Sequence, residues 1–420
     1  VTDVLDELRW RGLIAQTTDI DALRKALEDG PITYYCGFDP TAPSLHHGHL
    51  VQLVLLRHLQ LAGHRPIALV GGATGLIGDP RMSGERVLND RATVAEWVER
   101  LRAQIERFLS FEGDNAALMV NNLDWHGGLS ALDFLRDVGK HYRLGTMLAK
   151  DTVARRLASD EGISFTEFSY QILQGMDFLE LHRRHGVTLQ TGGNDQWGNL
   201  LSGVELARKS DGLALHALTT PLITKADGTK FGKSEGGAVW LAPDMMTPYA
   251  FYQFWLNAAD EDVVGWLRTF TFRTREQIAE LEAAVAERPA AREAQRALAL
   301  DVTTLVHGER AAQQAIAASQ ALFGRGDLAE LDDATVAAAV SGLPSVAARV
   351  GDAVVDVLAA TDVFRGKSDA RRAVAEGGVY VNNVKVTSDE ALLSADDVLA
   401  GRFVLLRRGK KTLVVAELAH

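Results

Sequence analysis

The densest chemistry in the chain is three imidazoles within four residues, His46, His47 and His49, with Gly48 between the last two. Residues 32–36, Ile-Thr-Tyr-Tyr-Cys, precede them and read as a short strand. Asp39-Pro40-Thr41-Ala42-Pro43-Ser44 then interrupts regular structure with two prolines. From His46 an apolar run through Leu50, Leu53, Val54, Leu55, Leu56, Leu59 and Leu61 reads as a buried helix that stops at Gly63. A helix tip after a strand and a tight loop offers free N–H groups and partial positive charge, which suit a phosphate. His46 and His49, three apart, share a face, and Gly48 lets a flat ring approach the backbone. A metal site and a solvated cluster are the competing readings. No second Cys or His cluster supplies further metal ligands.

A second basic element, Lys230-Phe231-Gly232-Lys233-Ser234, lies nearly two hundred residues on. With Gly228 it comes one residue short of a P-loop, which needs four residues between its glycines. Ala226, Gly228, Gly232, Gly236 and Gly237 supply flexibility, and Lys225, Lys230 and Lys233 supply charge. That composition suits a loop that closes over a triphosphate when one is bound. A third element is Tyr170, Gln174 and Asp177, spaced i, i+4 and i+7 on one helix face. By itself such a polar stripe suits the solvent side of a helix.

The pairing of His46-His-Gly-His49 with Lys230-Phe-Gly-Lys233-Ser234 resembles the two signatures of class I aminoacyl-tRNA synthetases. Residues 35–41, Tyr-Cys-Gly-Phe-Asp-Pro-Thr, and 192–199, Gly-Gly-Asn-Asp-Gln-Trp-Gly-Asn, resemble the bacterial tyrosyl-tRNA synthetases. The likeness runs over nearly the whole chain. His47 departs from it, where the family has an apolar residue.

The resemblance implies activation of an amino acid by in-line attack of its carboxylate on the α-phosphorus of ATP. That nucleophile is already ionised and the leaving pyrophosphate needs no proton. Positioning and charge stabilisation therefore carry the catalysis. Carried over residue by residue, the resemblance implies that Thr41, His46, Lys230, Lys233 and Ser234 bind the pyrophosphate portion. It places His49, Cys36 and Asp195 on the ribose, and Gly37, Asp39, Gly48 and Gly193 along the nucleotide path. Arg86 matches the family's basic residue in the loop after Asp79, with Arg81 as substitute. Tyr35 and Asp177 would bond the phenolic hydroxyl of tyrosine. Tyr170, Gln174 and Asp79 would hold its ammonium, and Gln196 its carboxylate. A site built to bond a hydroxyl rejects the analogue that lacks it, a rule this family illustrates. The implied substrates are L-tyrosine, tRNA(Tyr) and ATP with Mg²⁺. No tightly bound cofactor or protein-held metal is implied, and a homodimer is.

Positioning these groups is the task of an α/β domain. Strand patterns at 66–72, 117–122, 187–191 and 216–219 alternate with helical patterns at 90–111, 129–158, 165–185 and 195–208, after a helical stretch over 1–30. That order predicts a Rossmann-like doubly wound parallel sheet to about residue 240. The glycine-rich loop 71–78 follows a strand but does not match the dinucleotide fingerprint. Residues 241–345 are alanine-rich and predict an all-α domain, for which the resemblance implies anticodon binding. Gly342-Leu343-Pro344-Ser345 reads as a linker. Residues 351–420 resemble an S4-type RNA-binding module, with a hairpin turn at Asn382-Asn383. Its candidate RNA contacts are Lys367, Arg371, Arg372, Arg407, Arg408, Lys410 and Lys411.

The 420 residues carry net charge −11, so any nucleic acid is met by local basic patches on an acidic body. Segment 351–420 is neutral, with ten residues of each sign. The single cysteine permits no intrachain disulfide and fits a reducing cytoplasm. The acidic N-terminus shows no signal-peptide pattern, and no apolar run reaches the length of a membrane span. Three alternatives stay open: a tryptophan enzyme of the same subclass, a small-metabolite nucleotidyltransferase, and a non-catalytic RNA-binding homologue.

Overall fold

The structure is a computed structural model, and it describes every residue except 1–2, 83, 226–227, 229–230, 232–237, 323, 325, 410–411 and 419–420. Lys230, Lys233, Ser234, Lys410 and Lys411 lie outside the described residues. The chain divides into two compact units, residues 1–242 with 259–287, and residues 243–258 with 288–420.

The first unit is built on a six-stranded sheet. Its strands are β1 (Gln16–Thr17), β2 (Thr33–Phe38), β3 (Arg65–Val70), β4 (Leu118–Asn121), β5 (Val187–Gly193) and β6 (His216–Thr220). They lie in the order β1-β6-β5-β2-β3-β4, parallel throughout except for β1. The order reverses between β2 and β5, and the crevice at their carboxyl ends is the position at which open α/β sheets bind ligands. Residues 66–70 of β3 are all buried, as a strand covered on both faces requires. The helix His47–Leu61 is apolar on most faces and buries Leu50, Leu53, Val54, Leu55, Leu56 and Leu59. Gly63 follows it with φ +101°.

Three stretches differ from the sequence pattern. Residues 1–30 hold two helices, Val4–Trp10 and Ile20–Asp29, separated by β1. Gly12, at φ +73°, breaks the first, and β1 pairs antiparallel with β6. The expected helical stretch over 129–158 is broken into short helical segments, among them Gly139–His141, Leu144–Leu148 and Asp151–Leu157. Gly139 and Gly145 weaken any continuous helix there. The expected helix 90–111 ends at Ile105.

The helix Phe165–His185 is capped by the Ser164 hydroxyl and stopped by Gly186 at φ +66°. Its first turn carries Glu167, which with Arg156 forms an ion pair of 2.9 Å with both side chains 1% exposed. Glu167 also accepts the Arg86 N–H at 2.5 Å, and Arg156 donates to the carbonyls of Gly84 and Gly162 at 2.7 and 2.9 Å. The pair thus pins the loop that carries Arg86. Replacing Glu167 by alanine strands a buried guanidinium, and thermal or urea denaturation is expected to show a loss of about 3–5 kcal/mol.

In the second unit the helices Pro248–Leu256, Glu293–His307, Glu309–Leu322 and Asp333–Val340 precede a five-stranded sheet. Its order is β7 (Ser345–Ala348), β11 (Thr412–Leu418), β10 (Phe403–Arg408), β8 (Val379–Val381) and β9 (Val384–Lys385). The expected linker therefore ends in a strand, because β7 pairs parallel with β11. Asn382 and Asn383, at φ 45° and 69°, make the tight turn between β8 and β9. Ala318, Leu322, Val336 and Val340 share one core with Leu405 and Val415, so helices and sheet of this unit pack together.

Candidate active site

His46 is the N-cap of the helix His47–Leu61. Its Nδ1 accepts the Gly48 N–H at 3.1 Å, and the Nδ1 of His49 accepts the His46 N–H at 3.1 Å. Each ring therefore carries its proton on Nε2 when neutral and presents that N–H away from the backbone. Burial holds His46 below the usual histidine range, and His49 well below it. Both are neutral donors at physiological pH. The group that lies over Gly48 is the His46 ring itself, since a Cβ there would sit 3.0 Å from its Cε1. Glycine thus keeps the His46 imidazole in place.

The flanks of the lysine-bearing loop meet this helix tip. His46 pairs with Trp240 as an antiparallel bridge, with the two rings 6.0 Å apart. The His47 N–H donates to the Val239 carbonyl at 2.9 Å, and the Leu241 N–H to Leu45 at 2.9 Å. Phe231, between the two lysines in sequence, is 4% exposed and lies 4.7 Å from both the His47 and Trp266 rings. The departure from the family at His47 is a packing contact with this loop, and burial lowers the His47 pKa to about 4.

At the other end of the crevice, Tyr170 and Asp177 are buried, so the polar stripe faces inward and not to solvent. Asp177 receives three donors: Trp125 Nε1 at 2.8 Å, His126 Nε2 at 2.7 Å and Asn122 Nδ2 at 3.0 Å. Asn122 donates on to Thr74 at 2.9 Å, Thr74 to Asp39 at 2.7 Å, and the Tyr170 hydroxyl to the other Asp39 oxygen at 2.5 Å. One polar chain thus runs from Asp177 to Tyr170. Residues 71–74 belong to it: a Cβ on Gly71 would sit 2.0 Å from Asp39 Oδ1, so this glycine-rich loop is no plain turn. Tyr35 Oη, Gln174 Oε1 and Gln190 Oε1 are buried with no hydrogen-bond partner among the described residues. Unpaired buried polar atoms in one crevice call for a polar ligand.

Asp79 accepts Gln196 Nε2 at 2.9 Å and Asn199 Nδ2 at 3.1 Å. Burial raises its pKa, and raises that of Asp39 to about 6. Lys150 Nζ stands 3.1 Å from Asn199 Oδ1, its pKa lowered to about 8 by burial. Arg86 Nε donates to the Asp79 carbonyl at 2.8 Å. Cys36 is buried beside Gln52, its thiol pushed up to about 12 and hence neutral. Thr41 is exposed in the loop before the helix, Gly37 lies in β2, and a Cβ on Gly193 would meet Asp195 at 2.6 Å. Asn122, Trp125, His126, Thr74, Gln190 and Lys150 were not singled out by the motifs, and Asn199, the last residue of the 192–199 motif, carried no assigned role. The signal for Asn122 was its place just past the end of a parallel strand.

The candidate RNA contacts of the second unit are mostly paired with acids. Lys367 bonds Asp356 at 2.8 Å, Arg371 lies 3.6 Å from Asp389, and Arg372 and Arg408 share Asp369. Arg407 is 8% exposed and lies 3.9 Å over the Tyr380 ring. Among the described residues no helix is long and apolar enough to cross a membrane.

Residues 27–324 match the family model of class I tRNA synthetases (W and Y), and residues 335–416 match a tyrosine–tRNA ligase SYY-like C-terminal domain. The chain is 63% identical to a tyrosine–tRNA ligase of Streptomyces coelicolor, with 100% of this chain and 99% of that protein covered. It is 56% identical to one of Mycobacterium tuberculosis, with 99% and 98% covered. Among solved structures it is similar to a truncated mitochondrial tyrosyl-tRNA synthetase of Coccidioides posadasii, at 34% identity and TM-score 0.66. That likeness covers 75% of this chain and 91% of the other.

Proposed function

The chain belongs to the class I tRNA synthetases and, among them, to the tyrosine–tRNA ligases, and from this we propose how its residues perform the two-step reaction. L-tyrosine attacks the α-phosphorus of ATP to give tyrosyl-adenylate and pyrophosphate. Tyrosine then passes to the 3′-terminal adenosine of tRNA(Tyr).

The tyrosine ring enters the crevice between β2 and the helix Phe165–His185. Its hydroxyl donates to Asp177, whose three fixed donors leave room for one more, and accepts from Tyr35. The observation that carries this reading is the unpartnered Tyr35 Oη in a buried site with Asp177. An indole offers no hydroxyl to match both groups, which sets the tryptophan alternative aside. Tyr170, Gln174 and Asp79 face the ammonium, and Gln196 the carboxylate; Asp39, expected on the nucleotide path, is reassigned to the ammonium because the Tyr170 hydroxyl donates to it. The neutral Nε2–H donors of His46 and His49 serve pyrophosphate and ribose, with Thr41, Lys230, Lys233 and Ser234 on the pyrophosphate. Cys36, Gly37, Gly48, Gly193 and Asp195 border the nucleotide, and Arg86 approaches it from the loop after Asp79. Mg²⁺ enters with ATP as part of the substrate.

Amino-acid-dependent exchange of labelled pyrophosphate into ATP tests the assignment. Tyrosine alone supports exchange; exchange driven by tryptophan, or none, overturns it. The raised pKa of Asp39 adds a pH signature. Asp39 is ionised above about pH 6 and neutral below it, and an ammonium is held by the ionised form. The Kd for tyrosine is therefore expected to rise as pH falls through 6, with proton release on binding near that pH. Calorimetry in two buffers of different ionisation enthalpy reads the release directly; a Kd flat from pH 7.5 to 5 contradicts it.

The division into a catalytic domain over 1–240, a helical anticodon-binding domain over 241–345 and an S4-like domain over 351–420 belongs to the same proposal. So does a cytoplasmic homodimer with one tRNA spanning both subunits. Val87, Leu132, Leu144 and Phe165, in the first unit, are 91%, 78%, 66% and 74% exposed. The dimer itself is tested by the mass of the protein in solution, with a monomer contradicting it.

A further inference from the structure

We propose that His126 is a positioning residue for tyrosine recognition, holding the Asp177 carboxylate in the one orientation that leaves an acceptor site for the substrate's hydroxyl. The inference rests on the tyrosine pocket described above and adds to it a residue that no motif points to.

His126 follows β4 in the short helix Leu123–His126, fifty-one residues from Asp177 in sequence. Its side chain is 6% exposed, and its Nε2 lies 2.7 Å from Asp177 Oδ1. A carboxylate only accepts, so Nε2 carries the proton. His126 Nδ1 is buried without a partner among the described residues. The ring thus leaves one polar nitrogen unsatisfied while its other end is committed to Asp177. An imidazole present only to fill space would be replaced by an apolar side chain without that penalty.

A carboxylate offers about four lone-pair sites. Trp125 and His126 occupy both on Oδ1, and Asn122 takes one on Oδ2. The remaining site is on Oδ2. With the His126 donor removed, Oδ1 regains a free lone pair and the carboxylate is held on that side by Trp125 alone. A phenol then meets two competing acceptor positions in place of one. Binding of the hydroxyl weakens, while the reacting carboxylate and phosphate at the far end of the substrate are unaffected. The signature is therefore in KM and in discrimination, not in kcat.

The test uses the full-length enzyme in tyrosine-dependent pyrophosphate exchange, with His126→Phe, His126→Gln and Asp177→Ala side by side and thermal melting of each. His126→Phe is expected to raise KM for tyrosine about tenfold, as the phenol's hydrogen bond to the loosened carboxylate loses much of its worth. The kcat stays within about twofold, and the preference for tyrosine over phenylalanine falls about tenfold, because phenylalanine makes no use of the donor. His126→Gln, which reaches as far with an N–H donor, restores most of both. The inference falls if His126→Phe leaves KM and discrimination unchanged while Asp177→Ala destroys them. It also falls if the Gln variant melts like wild type yet is as impaired as the Phe variant. Absence of tyrosine-dependent exchange in the wild-type enzyme overturns the underlying functional reading instead.

Discussion

Replacing Asp177 by alanine is expected to cut kcat/KM for tyrosine about 10³-fold, or about 4 kcal/mol. The substrate's hydroxyl loses its charged acceptor in a desolvated site and leaves the Tyr35 hydroxyl to serve it alone. Trp125, His126 and Asn122 also lose the carboxylate that satisfies them, a cost to stability that is the same with either substrate and is read by melting. Phenylalanine has no hydroxyl to lose, so its kcat/KM changes far less and the ratio between the two substrates collapses. Steady-state exchange with both amino acids reads the ratio. Equal losses for both would mean that Asp177 supports the fold and not the recognition of the hydroxyl.

The second large effect belongs to His46. Its alanine variant is expected to lower the rate of tyrosyl-adenylate formation by 10² to 10³, roughly the value of one donor aimed at charge that develops in the transition state. Tyrosine affinity should stay within about twofold, because the proposed amino-acid pocket is on the Asp177–Tyr170 network. A group that meets the pyrophosphate only as the bond breaks raises the rate and not the affinity. The variant also loses the Nδ1 cap of the helix His47–Leu61, worth about 1 kcal/mol of stability. Melting measured alongside the kinetics separates that loss from the catalytic one.

The parts legible in the sequence were those written in local order. The strand, the proline-punctuated loop and the buried helix give His46 and His49 their places, and β-α alternation gives the parallel sheet. The face shared by Tyr170, Gln174 and Asp177 follows from helical periodicity alone, although the same pattern suits a solvent-facing stripe. Its burial is decided by the sheet packed against it. What the sequence did not disclose was set by strand order. Asn122, Trp125 and His126 follow β4, the edge strand beside β3, and reach Asp177 across more than fifty residues of chain. No spacing rule links them. The pairing of the basic tail with acids is hidden for the same reason: Arg408 meets Asp369 from a distant helix, and Arg402 meets Glu417 across a strand pair. The broken helix over 129–158 shows the converse, where apolar periodicity continues through glycines that interrupt the backbone.

The contacts of Trp240, Val239 and Phe231 with the His46–His47 tip bring the flanks of the lysine loop to the imidazoles. In the proposed reaction the two elements act as one device on the departing pyrophosphate. A double-mutant cycle of His46→Ala and Lys233→Ala, read as the single-turnover rate of tyrosyl-adenylate formation, tests it most directly. If both groups serve the same developing charge, the double variant loses clearly less than the product of the two single losses, with a coupling of about 1 kcal/mol or more. Losses that simply multiply, or that track a weakened affinity for tyrosine, would contradict it.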